Sequence, residues 1–193
     1  MEFNTIISKR KSVRAFTKTK PNWRSVLDAI EAVNQGSFAG NHNNLKFIII
    51  EEEQTIEIVA KHAQQPWLAQ SRLLVLVCSD DIHLEKLYGE RGRVYSRQQA
   101  GAAIQTLIFK LIDLGLSACW VGAYTDELIK QFLKIPQHIQ IEAIIPIGYE
   151  NTTKAKPKPR KKSIEATIYW EEWESSKRPP LFKEPKDTLA LKS

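Results

Sequence analysis

Lys9-Arg10-Lys11-Ser12-Val13-Arg14 puts four cations within six residues, with a serine hydroxyl among them. Guanidinium forks suit phosphate oxygens, and each charge-assisted hydrogen bond contributes about 1.5–3 kcal/mol where water is excluded. A solvated basic face is the alternative for such a run. A second cluster, Lys154, Lys156, Lys158, Arg160, Lys161 and Lys162, supplies six positive charges in nine residues. The formal charge is +6, so without this segment the balance is zero and the basicity is local, not a broad electrostatic footprint. Three readings stay open for residues 154–162: a solvated loop, a site for a small phosphate group, and a surface for a nucleic acid or acidic partner.

Two further stretches could meet a ligand. Gly36-Ser37-Phe38-Ala39-Gly40-Asn41-His42-Asn43-Asn44 is a polar loop whose amides offer both donors and acceptors to a heterocycle, although glycine and asparagine also simply serve turns. Gly122 interrupts the apolar run Ser117–Tyr124, and an isolated glycine there marks a bulge, a close backbone approach or a packing contact. No Ser-His-Asp order, G-x-S-x-G, Walker loop or metal-spaced histidine pair is present, and Gly89-Glu90-Arg91-Gly92 lacks dinucleotide-binding spacing. His42, His62, His83 and His138 are scattered and read as surface residues. Cys78 and Cys119 sit in apolar runs without C-x-x-C spacing and read as buried thiols. No metal site and no side-chain catalyst is expected.

The elements that must carry these residues follow from periodicity. Ala100–Leu114 has only Gln105, Thr106, Lys110 and Asp113 as polar side chains, so it reads as a buried central helix, stopped by Gly115 and clasped by Leu116. Ser117–Tyr124 reads as a strand. Upstream, Asn4 caps a short helix that carries Phe3, Ile6 and Ile7 inward, and Pro21-Asn22 opens a helix with Val26, Leu27, Ile30 and Val33 inward. Leu45–Ile50 and Leu73–Cys78 read as strands, the second buried on both faces, with a helix over Gln54–Gln64 between them. Residues 80–97 are polar and fit either helix or loop. Asp126–Leu133 reads as a helix and Ile141–Ile147 as a last buried strand. Beyond Glu150 comes a proline- and lysine-rich linker, then a capped segment Ser163–Trp173 with Ile164, Ile168, Trp170 and Trp173, an aromatic tail that favours a homodimer. With no membrane-length apolar run and no secretory stretch at the N-terminus, a soluble, cytoplasmic protein is expected.

Taken in order, Arg10–Phe16, Phe38–Asn41, Ala102–Gln105, Gly115–Tyr124, Pro146–Tyr149 and Arg160–Glu165 resemble the nitroreductase family of FMN-dependent oxidoreductases across roughly residues 3–173. The resemblance implies an α+β fold, a mostly antiparallel central sheet flanked by helices, with a long buried helix in the interface of a homodimer. It implies one FMN-binding domain over residues 1–173 and an extended or partly disordered tail over 174–193. It assigns Arg10, Lys11, Ser12 and Arg14 to the phosphate and ribityl chain, with Arg160 or Lys161 closing on the same phosphate. Ser37, Phe38, Ala39 and Asn41 match the loop that the other subunit lends to the flavin ring. Trp120, Val121 and Gly122 match the turn beside that ring, where a backbone N–H faces N5. The implied activity passes reducing equivalents from NADH or NADPH to a nitroaromatic, quinone or similar acceptor; dehalogenation, flavin breakdown, or binding without turnover are alternatives. Two departures stand out. Phe38 replaces a usual serine in a loop that also lacks the family's Gln-Pro-Trp, and Gln99 replaces an acidic residue frequent just before the central helix.

Overall fold

The computed structural model describes residues 1–154 and 163–177. Two compact units divide the chain, Met1–Lys156 and Pro157–Ser193.

The first unit is built around β2 (Leu73–Asp80), whose side chains are buried along nearly its whole length. A strand shielded on both faces needs hydrogen-bond partners on both edges. β1 (Leu45–Ile50) supplies one and β4 (Ile139–Gly148) the other, both antiparallel, and a two-residue β3 (Ser117–Ala118) completes the order β1-β2-β4-β3. Alternation along β2 feeds two cores. Leu73, Val75 and Val77 pack with α2 (Trp23–Val33) and the central helix α5 (Glu90–Asp113). Leu74, Leu76 and Cys78 pack with α3 (Glu53–His62) and α6 (Asp126–Leu133). The result is α+β, an antiparallel sheet between helical layers, as the resemblance implied.

Several expectations need correction. The polar stretch 80–97 is helical: α4 (Ile82–Tyr88) turns at Gly89 straight into α5, which begins ten residues before Ala100. Gln99 therefore lies inside the central helix. α1 (Phe3–Lys9) is flanked by Glu2, not capped by Asn4, and buries only Ile6, leaving Phe3 61% and Ile7 39% exposed. On α2, Leu27 also faces outward, while Ala29 takes a core position. The Ser117–Tyr124 run pairs only through Ser117–Ala118, then leaves the sheet and touches it once more at a Val121–Ile144 bridge. Gly115 stops α5 with φ +80°, and Leu116 N–H closes onto Leu111 O at 2.8 Å.

A register shift where Val77 and Cys78 face Ala143 and Ile141 makes Glu142 the unpaired residue of a bulge. The bulge reverses which face the start of β4 presents, so the Glu142 side chain meets Ser79 and Arg97 of α5 instead of the opposite core. In the second unit, Ile164–Thr167 forms a 3-10 turn, and Tyr169 and Trp173 meet edge-on at 4.9 Å. No helix among the described residues is long and apolar enough to cross a membrane.

Gly92 fixes the α4–α5 junction, since a Cβ there would lie 2.3 Å from the Leu84 carbonyl oxygen and 2.6 Å from the Glu85 nitrogen. Gly92→Ala is expected to cost about 1–3 kcal/mol through overpacking against backbone, read from the urea midpoint. Both cysteines are free and buried, and burial pushes the Cys78 thiol up to about 11. Burial shields both thiols, and the raised pKa of Cys78 leaves it little thiolate at pH 8, so a disulfide-exchange reagent is expected to react with both only after the chain is unfolded.

Candidate functional site

α1 ends where Arg10 N–H bonds Ile6 O, and the chain then runs extended along the sheet margin. Val13 N–H donates to Ala118 O at 3.1 Å, Phe16 bridges Glu150, and Thr17 N–H bonds Tyr149 O at 2.8 Å. Val13 and Phe16 turn into the protein, which sends Ser12 and Arg14 outward. Lys11 is already engaged, its Nζ 2.7 Å from Glu150. Neither Arg10 nor Arg14 has a carboxylate partner among the described residues.

Arg14 instead lies over the Trp67 ring, 5.7 Å from its centroid. The Trp67 indole N–H donates to Gln65 Oε1 at 2.8 Å, and Gln65 Nε2 reaches the Ala123 carbonyl at 3.5 Å. This relay carries the Arg14 end of the basic loop to the turn after β3. In that turn Val121 is buried and exchanges both backbone hydrogen bonds with Ile144. Trp120 is 41% exposed, with its ring edge 3.7 Å from where a Cβ on Gly101 would stand. A Cβ on Gly122 would meet nothing within 4 Å. Gly122 is thus not a packing glycine; the backbone presents an open side there. Gln65-Pro66-Trp67 has no place in the motifs that the sequence offers for the site; the tripeptide itself is its signal.

The third group stands apart. Among the described residues no hydrogen bond, ion pair or ring contact joins the 37–41 loop to residues 10–14 of the same chain. Ser37, Phe38 and Ala39 face Tyr95, Gln98, Gln99 and Ala102 of α5 across an open cleft of about 360 Å³. Gly40 and Asn41 are both left-handed, with φ of 58° and 55°. Of the three asparagines, Asn43 accepts from Leu45 N–H and donates to Asn34, and Asn44 is buried, so these two serve the loop itself. Asn41 remains exposed. The histidines are not all scattered: His42 and His83 stack with ring centroids 3.9 Å apart. Arg160 and Lys161 lie outside the described residues. No group of three or more metal-binding side chains occurs among the described residues.

The Nitroreductase family model matches residues 59–149. The chain is similar to an iodotyrosine deiodinase of Thermotoga neapolitana, 23% identical over 167 residues, 78% of this chain and 90% of that protein. It is also similar to an FMN reductase [NAD(P)H] of Bacillus subtilis, 25% identical over 170 residues, 80% of this chain and 68% of that one. Among solved structures, an FMN-dependent nitroreductase of Clostridium difficile superposes with a TM-score of 0.73 at 17% identity, covering 87% of this chain and 98% of that one. The family match runs from within α3 to just beyond β4, and the fold around it is shared with the solved structure, so the chain is homologous to the nitroreductase family over that span.

Proposed function

We propose that the chain is an FMN-dependent oxidoreductase that passes reducing equivalents from NADH or NADPH to a small acceptor such as a nitroaromatic or quinone, with its site completed in a homodimer. The observation that carries this reading is the juxtaposition at the end of β3. An arginine without a carboxylate partner among the described residues, Arg14, is tied through Trp67 and Gln65 to a turn whose backbone at Gly122 faces open space. A phosphate-bearing planar cofactor needs those two features, a cationic grip on one end and a stretch of bare backbone along the other. Relatives named FMN reductase and FMN-dependent nitroreductase support the same choice of cofactor.

FMN, when bound, would supply the redox chemistry, taking up reducing equivalents from the nicotinamide and passing them to the acceptor. The chain's part is positioning. Arg10, Ser12 and Arg14 would hold the phosphate and ribityl chain, while Lys11 shares itself with Glu150. Trp120, Val121 and Gly122 would lie beside the ring and offer a backbone donor to it. Ser37, Phe38, Ala39 and Asn41, which share no hydrogen bond, ion pair or ring contact with the basic loop of their own chain among the described residues, would serve the ring of the other subunit. Exposed Phe3 and Ile7 on α1, with Trp23 and Leu27 on α2, give a second copy an apolar surface to cover. Reductive dehalogenation is the second reading, favoured by the likeness to an iodotyrosine deiodinase.

The purified chain is expected to be yellow and dimeric by sedimentation, and to bleach anaerobically on addition of NADH or NADPH. Reoxidation by a nitroaromatic or quinone, against release of halide from a halophenol, separates the two readings. A colourless chain that takes up no added FMN would end both. Arg14→Ala is expected to weaken FMN binding about 10- to 100-fold, the loss of one charge-assisted hydrogen bond of about 1.5–3 kcal/mol, with dimerisation unchanged; flavin fluorescence titration measures it.

A further inference from the structure

The cleft beside α5 is shaped by a chain of side chains that no sequence motif announces. Gln99 is 6% exposed and spends its whole amide on the 38–44 loop. Its Oε1 accepts from Ala39 N–H at 3.0 Å, while Nε2 donates to Asn44 Oδ1 at 2.5 Å and to the His42 carbonyl at 3.3 Å. Asn44, 3% exposed, donates through Nδ2 to Ser96 Oγ at 2.8 Å and to the Asp80 carbonyl at 2.9 Å. Ser96, fully buried, donates to Asp81 Oδ1 at 2.6 Å, and the other oxygen of Asp81 pairs with Arg97.

The direction of this chain follows from donor and acceptor inventories. An ionised carboxylate only accepts, so the Ser96 hydroxyl spends its one proton on Asp81 and its oxygen must itself accept. That fixes the Asn44 amide with nitrogen toward Ser96 and oxygen toward Gln99. Gln99 must then present nitrogen to Asn44, which leaves its oxygen aimed at the loop, where a donor is required. Ala39 N–H is that donor. Orientation thus passes from Asp81, through three side chains, to one backbone amide. The two clamped positions, 39 and 42, bracket the left-handed pair Gly40-Asn41, so the clamp sets how Phe38 and Asn41 are displayed.

We propose that Gln99 is a positioning residue for the cofactor loop: its amide, oriented from Asp81 through Ser96 and Asn44, holds Phe38–His42 in the shape that receives the flavin ring. This rests on the flavin reading of that loop. A loop held in its binding shape loses less conformational entropy when the ligand arrives, so the clamp acts on cofactor affinity.

The test compares the full-length wild type with Gln99→Glu and Gln99→Met at pH 8 and pH 5.5. Amide hydrogen exchange of the peptide covering residues 37–44 is followed without cofactor, and the FMN dissociation constant is measured alongside. Glutamate keeps the shape of glutamine and can still accept from Ala39. When ionised, however, its second oxygen faces the Asn44 and His42 oxygens, whereas when protonated it can donate to Asn44. Burial and those facing oxygens favour the protonated form, so the clamp should return as pH falls. Gln99→Glu is expected to raise loop exchange and weaken FMN binding by about tenfold or more at pH 8, the loss of paired buried groups, and to recover most of both at pH 5.5. Gln99→Met is expected to show the same losses at both pH values. The other ionisable groups around the network, His42 stacked on His83, and Asp81, Arg97 and Glu142 at its far end, are the same residues in both variants, so Gln99→Met serves as the control for them. Wild-type affinity and exchange in Gln99→Glu at pH 8, or an equal recovery in Gln99→Met, would overturn the proposal. So would faster exchange with unchanged FMN affinity. A wild type that binds no FMN would instead remove the flavin reading on which the proposal stands, and is told apart because it requires no variant.

Discussion

A strand with water on neither face sets the terms for the rest of this molecule. β2 can be buried only because β1 and β4 take up its backbone groups on both edges, and because helices cover the side chains it sends each way. Seven of its eight residues are buried, which leaves no place in the middle of the sheet for polar chemistry. Whatever this protein binds must be met at the margins, where β3 gives out after two residues and where the 36–44 loop enters β1. At the bulge opposite Cys78 the sheet itself turns a charged group, Glu142, toward the helical layer that carries the cleft.

At those margins the polar residues divide into two kinds. Lys11, Asn43, Asn44 and Gln99 have partners within the chain, and these partners hold the loops in place. Arg14, Asn41, Trp120 and Gly122 face outward. The two kinds alternate closely in sequence, since Lys11 and Arg14 are three residues apart, as are Asn41 and Asn44. Composition cannot separate them. What separates them is the backbone, which sends Val13 and Phe16 inward and so turns Arg14 out, and which reverses through two left-handed residues between Ala39 and His42.

The same distinction explains how much could be read beforehand. Strands β1, β2 and β4 and helices α3 and α6 were legible because burial imposes a pattern on apolar residues, and their ends lie within two residues of expectation. Residues 82–97 carry charges and tyrosines suited to a half-exposed helix, so their periodicity was masked and the central helix came out ten residues short. The outward turn of Phe3 was hidden because an apolar residue left exposed looks the same in sequence as one that is buried. For the site, the basic loop, the 36–44 loop and the Trp120 turn were each recognisable alone. Their ties were not, because Gln99 and Asn44 are 55 positions apart and Gln65 and Ala123 are 58 apart. Neither pair contributes to any periodicity.

Buried polar chains are costly to keep unless every member is satisfied, and a core of this kind has no need of one. The two apolar clusters flanking the sheet would form with or without the Asp81-to-Ala39 relay. Yet the relay is complete, from a carboxylate paired with Arg97 to a single backbone N–H, and it ends at a loop that lines the cleft. An apolar residue at position 99 would fill the same space and could cover Ala103 as well, but it would leave the loop free to choose among conformations. The glutamine gives up some burial energy for a defined direction. That exchange makes sense only where the shape of the 38–42 backbone matters to something outside the fold.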